Sequence, residues 1–284
     1  MYGEAIKRGP WFLRPRLVNR KQMSAVANPG FALAEAPPTP SPGAPLIRAS
    51  SVNATISSHF LDTAPRRTVA QGDVQCCVSC ALGSALEIVH RDWPALAPLF
   101  HYFVTASINH GADSNGFLRL DDALATLTAQ GICKHSDHDV DRDQPYTLPM
   151  AAIRPSPQAF ADGAQRVIRR VLMRFQYQRL IGPSWSKAVR DQLRQNRPAV
   201  IGFRLPKGYA ADQFLDARFE WSDLQRFPAS DSGHCVVVTG YDDSRTALQV
   251  VDSQGVNRLG GGTWWMGYRV ADAGVIQDAC SIFV

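Results

Sequence analysis

Gln71 and Gly72 precede three cysteines packed into five positions, Cys76, Cys77 and Cys80, which are half of the six cysteines in the 284-residue chain. A thiol becomes nucleophilic near neutral pH when its surroundings favour the thiolate. The first turn of a helix does this through unsatisfied backbone N–H groups and the positive end of the helix dipole. From Cys77 onward Val78, Ala81, Leu82, Ala85, Leu86 and Val89 recur at three- and four-residue steps. That spacing predicts a helix that buries one face and opens at the cysteines. Gly83, Ser84 and Ala85 keep its other side narrow, so neighbouring elements can pack closely around it. Free cysteine is also among the most buried residue types. On this stretch alone a reactive thiol and a set of core cysteines are both open readings.

Thiolate chemistry on a carbonyl needs more than the sulfur. It requires an imidazole to hold and move a proton, a group to orient that imidazole, and a donor for the developing oxyanion. Each can be nominated. His234 follows Gly233 and leads the apolar run Cys235-Val236-Val237-Val238, while Asp252 closes the next such run, Val250-Val251. A turn at Asp242-Asp243-Ser244 would make these runs antiparallel neighbours and bring the two side chains together. Gln71, six residues before Cys77, can offer its side-chain amide beside the Cys77 backbone N–H.

The elements that must position these residues change character along the chain. After the cysteine helix, Trp93-Pro94 breaks the pattern, and Pro98 stands near the first position of a second helix. A polar loop from Asn109 to Gly116 leads to a third helix, Leu118 to Ala129, ended by Gly131. Residues 133–158 read as loop-rich, and Phe160 to Leu180 as an amphipathic basic helix running into a strand near Tyr177. Ser186 to Arg194 is a short helix. Short apolar runs follow at Pro198–Phe203, His234–Tyr241, Ala247–Val251, Trp264–Val270 and Ser281–Val284. Helices first and strands second describe an α+β protein in two lobes. The expected division is an N-terminal extension over 1–50, a helical lobe over 51–165 carrying Cys77, and a β-rich lobe over 166–284 carrying His234 and Asp252.

Charge separates the extension from the rest. The net charge is +5, and seven of the 30 basic side chains lie in residues 1–55 beside two of the 25 acidic ones, so the remainder is balanced. A basic tail of this kind is a candidate for binding an anion. Seven dispersed charges do not make a nucleic-acid face, so nucleic acid is not the expected partner. Trp11, Phe12 and Leu13 precede Pro37, Pro38, Pro40, Pro42 and Pro45. These residues read either as a disordered tail or as a strap on a stiff spacer that lies across a cleft. No apolar run reaches membrane-spanning length, and Ser24–Ala34 is a poor core for a secretory signal, so cytoplasmic residence is the default expectation.

No cofactor or metal is expected. Cys133, His135, His138 and Asp139 match no standard zinc spacing and read as a solvated turn. Gly260-Gly261-Gly262 lacks the helix and lysine of a phosphate loop. Arg169, Arg170, Arg174 and Arg179 recur at helical spacing as an exposed face.

The chain resembles the papain-like cysteine proteases, and among them the shorter bacterial members. The resemblance is carried in order by Gln71-Gly72 with Cys77, Leu96–Tyr102, Asp113-Ser114-Asn115-Gly116, Pro198–Phe203, Gly233-His234 through Gly240-Tyr241, and Asp252-Ser253-Gln254-Gly255. It implies two lobes with a substrate cleft between them and a peptide or protein substrate. Cys77 is the implied nucleophile, His234 the proton carrier, Asp252 its orienting partner and Gln71 the oxyanion donor. Asn115, Gly116 and Gly233 would bind substrate.

Three departures bear on the site. The local cysteine signature of the family aligns better with Cys80, but only Cys77 keeps Gln71 at the six-residue spacing, so Cys77 is preferred and Cys80 is read as a packed thiol. Asp252 stands where the family has asparagine. Gln254 stands where the family has a tryptophan shielding the histidine pair, which predicts a wetter His234–Asp252 contact unless Trp264, Trp265 or the N-terminal strap covers it. The resemblance implies an endopeptidase working through a Cys77 thioester. A catalytically silent binding protein and an acyl transferase using the same thiol are the alternatives.

Overall fold

The helix that opens at the cysteines runs from Cys77 to Val89 (α1) in a computed structural model that describes residues 57–61, 69–109, 117–138, 144–167, 178–179, 184–206, 218–219, 229–255 and 262–283. The basic extension lies outside the described residues, and so does every reading placed on it. Residues 54–284 form one compact unit.

The remaining helices are α2 (Pro98–Asn109), α3 (Leu120–Ala129), α4 (Leu148–Ala151), α5 (Pro157–Gln165) and α6 (Trp185–Leu193). The strands are β1 (Ser58–Phe60), β2 (Gln178–Arg179), β3 (Ala199–Pro206), β4 (Arg218–Phe219), β5 (Ala229–Asp242), β6 (Ala247–Val251), β7 (Thr263–Gly267) and β8 (Ile276–Ser281). They build one sheet in the order β2-β8-β3-β5-β6-β7-β4, with β1 also paired to β5. The pairings are antiparallel except that between β4 and β7. A helical region beside a many-stranded sheet is the expected two-lobed α+β architecture.

Alternation along β5 gives the sheet two buried faces. Cys235 and Val237 join Val200, Val251, Cys280 and Ile282 in a core that includes Cys77, Cys80, Leu82 and Leu86 of α1. Val236 and Val238 belong to a second core with Phe203, Leu248, Val250 and Trp264, closed by Val189 and Leu193 of α6. The first core is shared between helices and sheet, so α1 is held against β3 and β5 as well as α2 and α3. Gly240 lets β1 dock: a β-carbon there would sit 2.4 Å from the Phe60 ring.

Several element boundaries differ from the sequence reading. The basic helix begins earlier and ends sooner than Phe160–Leu180. Ser156 caps the Ala159 N–H and Pro157 occupies the first turn, and the helix stops at Arg166, whose φ is −113°. Residues 168–177 lie outside the described residues. The last strand ends at Ser281, where the sequence reading began it, because pairing with β3 runs from Ala199↔Ser281 to Phe203↔Ile276. The run Trp264–Val270 splits into β7 and a helical turn at Tyr268–Val270. Cys133 and His135 are buried rather than solvated, held by backbone bonds from Ala97 to Cys133 and from His135 to Ala95. Asp139 lies outside the described residues. Among the described residues no cluster of three or more candidate ligands could hold a metal ion, and no helix is long and apolar enough to cross a membrane.

Candidate active site

Cys77 is the first residue of α1, and Cys76, at the cap position, makes no side-chain capping bond. The first turn carries no acidic residue, so its backbone N–H groups present positive potential at the Cys77 sulfur.

β5 and β6 bring the partner groups to this helix tip. Their antiparallel register, Val237↔Val251, carries Asp252 beside His234, and Asp252 Oδ1 lies 2.7 Å from His234 Nε2. The other ring nitrogen is left for Cys77, which hydrogen-bonds the ring. His234 is 4 % exposed and Asp252 3 %. Burial alone would depress the imidazolium, but the charge and hydrogen bond of Asp252, reinforced by Cys77, push His234 up to about 10. The ring is therefore held protonated at neutral pH.

Of the covers nominated for the His234–Asp252 contact, Trp264 is in place. Trp264 of β7 donates its indole N–H to Asp252 Oδ2 over 2.9 Å and is 2 % exposed. Phe203 packs edge-on to both the His234 and Trp264 rings, with centroids 6.0 and 6.1 Å away. Trp265 faces elsewhere, towards Phe60 and Arg245. With both oxygens of Asp252 receiving donors, the choice of carboxylate over amide has a physical reason: an amide offers one acceptor oxygen, and this position meets two donors.

Gln71 is stitched to the loop that follows Asp252. Its backbone N–H donates to the Ser253 carbonyl (2.7 Å), and the Ser253 hydroxyl donates to Gln71 Oε1 (2.5 Å). Its Nε2 donates to the Val74 carbonyl at 3.2 Å, which occupies one of the two amide hydrogens. Gly72 makes the turn possible, with φ +53° and room for no β-carbon, which would fall 2.2 Å from the Tyr146 carbonyl oxygen. The residues that flank the site on both sides are thus tied directly to one another.

Thus Gln71, Cys77, His234 and Asp252 come together. Cys80 lies one turn deeper, with its sulfur 3.6 Å from that of Cys76, and it lines a small cavity with Cys235, Asp252 and Ser253. Gly233 is exposed beside His234, and a β-carbon there would make only an ordinary contact, so space does not demand glycine. Asn115 and Gly116 lie outside the described residues. Trp264 and Ser253 complete the site. The sequence offered Trp264 only as one of several covers for the pair, and gave no signal for the Ser253 link.

A second buried histidine flanks α1. His101 of α2 donates from Nε2 to the Ala123 carbonyl and accepts at Nδ1 from the Ser79 hydroxyl, both at 2.9 Å. The carbonyl can only accept, so the tautomer follows. Burial pulls this histidine down to about 4, outweighing the bond to Ala123, and keeps it neutral.

Comparison with known proteins bears on the fold. Residues 158–264, which include His234 and Asp252, match the model of the Peptidase_C39 like family. None of the curated proteins matches the chain significantly. Among solved structures, xylellain, a cysteine protease from Xylella fastidiosa, superposes with a TM-score of 0.68 at 21 % identity over 82 % of this chain and 88 % of that one. The cysteine protease CMS1MS2 of Carica candamarcensis, solved with E-64, gives 0.57 at 16 % identity over 80 % and 97 %. Bromelain of Ananas comosus, solved with the E64 inhibitor, gives 0.53 at 13 % over 80 % and 98 %. The fold of this chain is that of the papain-like cysteine proteases.

Proposed function

We propose that the chain is a papain-like cysteine endopeptidase. The observation that carries this reading is the single imidazole, His234, bonded on one side to Asp252 and on the other to the Cys77 thiol at a helix N-terminus. In this reading the Cys77 thiolate attacks a peptide carbonyl, and the oxyanion is met by the Cys77 N–H and the remaining Gln71 amide hydrogen. His234 passes its proton to the leaving amine, which departs and leaves a thioester. Water deprotonated by His234 then adds to the thioester carbonyl, and the acid is released as Cys77 regains its starting state. Asp252 and Trp264 hold the ring in place throughout. Asn115 and Gly116 align the substrate backbone. The dry, fully bonded His234–Asp252 pair speaks against a silent binding protein.

The test is covalent. An epoxysuccinyl peptide or iodoacetamide at neutral pH should modify Cys77 much faster than a free thiol, read by mass spectrometry, and Cys77→Ala should abolish peptide hydrolysis. Labelling at the rate of a free thiol, together with unchanged hydrolysis in Cys77→Ala, would refute the assignment. Product analysis with added amine separates hydrolysis from acyl transfer. The N-terminal extension is proposed as a strap, from Trp11, Phe12 and Leu13 on their proline-rich tether. Deleting residues 1–45 should raise activity on small peptides, and no change would reduce the segment to a tail.

A further inference from the structure

Cys77-Val78-Ser79-Cys80 is a C-x-x-C placed on the first turn of a helix, and the protease reading uses only its first thiol. A pair spaced in this way at a helix start is an arrangement suited to reversible disulfide chemistry. The helical rise and radius put residues three apart about 5 Å from one another at Cα. That falls within the roughly 4.4–6.8 Å that a disulfide spans.

The direction of the second thiol is visible. Side chains on a helix lean back towards its N-terminus, and the Cys80 sulfur reaches back far enough to lie 3.6 Å from that of Cys76. It is therefore level with the turn that holds Cys77. Both thiols also turn to β5, Cys77 by its bond to His234 and Cys80 by sharing a cavity wall with Cys235 and Asp252.

We propose that Cys80 is a resolving thiol for Cys77, and that a hydroperoxide converts the pair into a reversible Cys77–Cys80 disulfide that switches the enzyme off. This rests on Cys77 being the reactive thiol of the proposed peptidase. The Cys77 thiolate attacks the distal oxygen of the hydroperoxide. The O–O bond breaks, the departing alkoxide or hydroxide takes a proton from the His234 imidazolium and leaves as an alcohol or water, and Cys77 becomes a sulfenic acid. The Cys80 sulfur then attacks the Cys77 sulfur, giving the disulfide and releasing water, which takes up the Cys80 proton. Two thiols are oxidised by two electrons and one hydroperoxide is reduced. A small dithiol reverses the step. Cys235 also lies near Cys77, but burial first, with Cys77 and Cys280 beside it, holds it as a protonated thiol and a poor attacking group.

The experiment uses the full chain with hydrogen peroxide, followed by dithiothreitol. Trypsin should release residues 68–91 as one peptide holding all three cysteines of the cluster. In Cys76→Ser, a loss of two hydrogens from this peptide that disappears when Cys80→Ser is added is the Cys77–Cys80 bond, whereas a sulfenamide at Cys77 would persist. That loss is expected, with complete inactivation and return of most activity on reduction. Cys80→Ser should keep its activity before peroxide but should lose it permanently afterwards, with two or three oxygens added at Cys77. Stepwise oxygen addition at Cys77 in the Cys76→Ser protein without loss of hydrogens would overturn the proposal. So would unimpaired recovery in Cys80→Ser. The mass readout needs no substrate, so a disulfide formed in a protein with no peptidase activity would keep the Cys77–Cys80 redox pair and sink the protease reading.

Discussion

Two buried histidines flank α1, and they are in opposite states. His234 and His101 are 4 % and 0 % exposed, and each has both ring nitrogens engaged. Burial acts on both in the same direction, against the charged ring. The difference lies in the partners. His101 meets a hydroxyl and a carbonyl, which satisfy a neutral ring and offer no net charge. His234 meets a carboxylate and a thiol, and the carboxylate overturns the cost of burial. One histidine is a structural tie between the helices. The other carries a proton at neutral pH. What separates them is the charge of one neighbour rather than depth in the protein.

Replacing each ring by glutamine should separate the two roles most sharply. His234→Gln should lower kcat/KM by about 10²–10⁴-fold, the usual contribution of a positioned acid–base group. His101→Gln should leave the chemistry standing and act on stability, read as a lower Tm. Equal losses of kcat/KM in the two variants would end the comparison. Imidazole ¹⁵N spectra at neutral pH should show His234 doubly protonated and His101 as the single Nε2–H tautomer.

Asp252→Asn removes the charge on which the difference rests. The asparagine oxygen cannot serve both His234 and Trp264, and its NH₂ meets a donor, so a loss of about 2 kcal/mol, roughly 30-fold in kcat/KM, is expected. The pH dependence is the sharper readout. A folded-state pKa of about 10, above the ordinary 6.5, means that the folded protein holds the extra proton between those values. This contribution to stability is complete below pH 6.5 and is lost as pH rises through about 10. The wild type should therefore lose more Tm than Asp252→Asn between pH 7 and pH 10. The alkaline limb of kcat/KM should move to lower pH in the variant. Superimposable profiles would show that Asp252 does not set the state of His234.

The part of this arrangement that is legible in the sequence is the part with a local signature. The three- and four-residue apolar steps after Cys77 locate α1, and the six-residue interval from Gln71 nominates Cys77. The apolar runs after His234 and before Asp252, joined by a turn at Asp242-Asp243-Ser244, pair the two side chains. Trp264 is harder to place because its reach to Asp252 depends on the register Val250↔Trp264 across β6 and β7, which no residue pattern declares. β1 and β4 are too short to show alternation. The end of β8 is hard to read for a related reason: Ile282 and Phe283 are buried like strand residues, but the ladder to β3 stops at Ser281. Burial pattern and hydrogen-bond pattern coincide over most of the sheet and part at its ends.

Trp264→Phe probes the support behind the charged histidine. It keeps an aromatic ring against Phe203 and removes the donor to Asp252 Oδ2. The expected loss is about 1 kcal/mol, roughly fivefold in kcat, with KM little changed because the residue is buried behind Asp252. A change confined to KM would mean that Trp264 shapes the substrate site rather than the acid–base pair.

Ser79→Ala makes the matching change at the neutral histidine and has the smallest expected effect on activity. It takes the hydroxyl donor from His101 Nδ1, inside a core where that nitrogen meets little water, and should cost about 1–3 kcal/mol of stability with kcat unchanged at neutral pH. The acid side gives a second check, of opposite sign to that at His234. His101 falls to about 4 in the folded protein, so between pH 6.5 and 4 the unfolded chain holds a proton that the folded one refuses. Stability therefore falls as pH drops through that window. In the variant Nδ1 no longer accepts a hydrogen bond from Ser79, so the neutral ring is less strongly favoured and the acid slope should be shallower. A slope unchanged from the wild type would mean that the hydroxyl plays no part in keeping His101 neutral, and that burial alone suffices against the opposing bond to Ala123. The contrast with His234 would then rest on the Asp252 side alone.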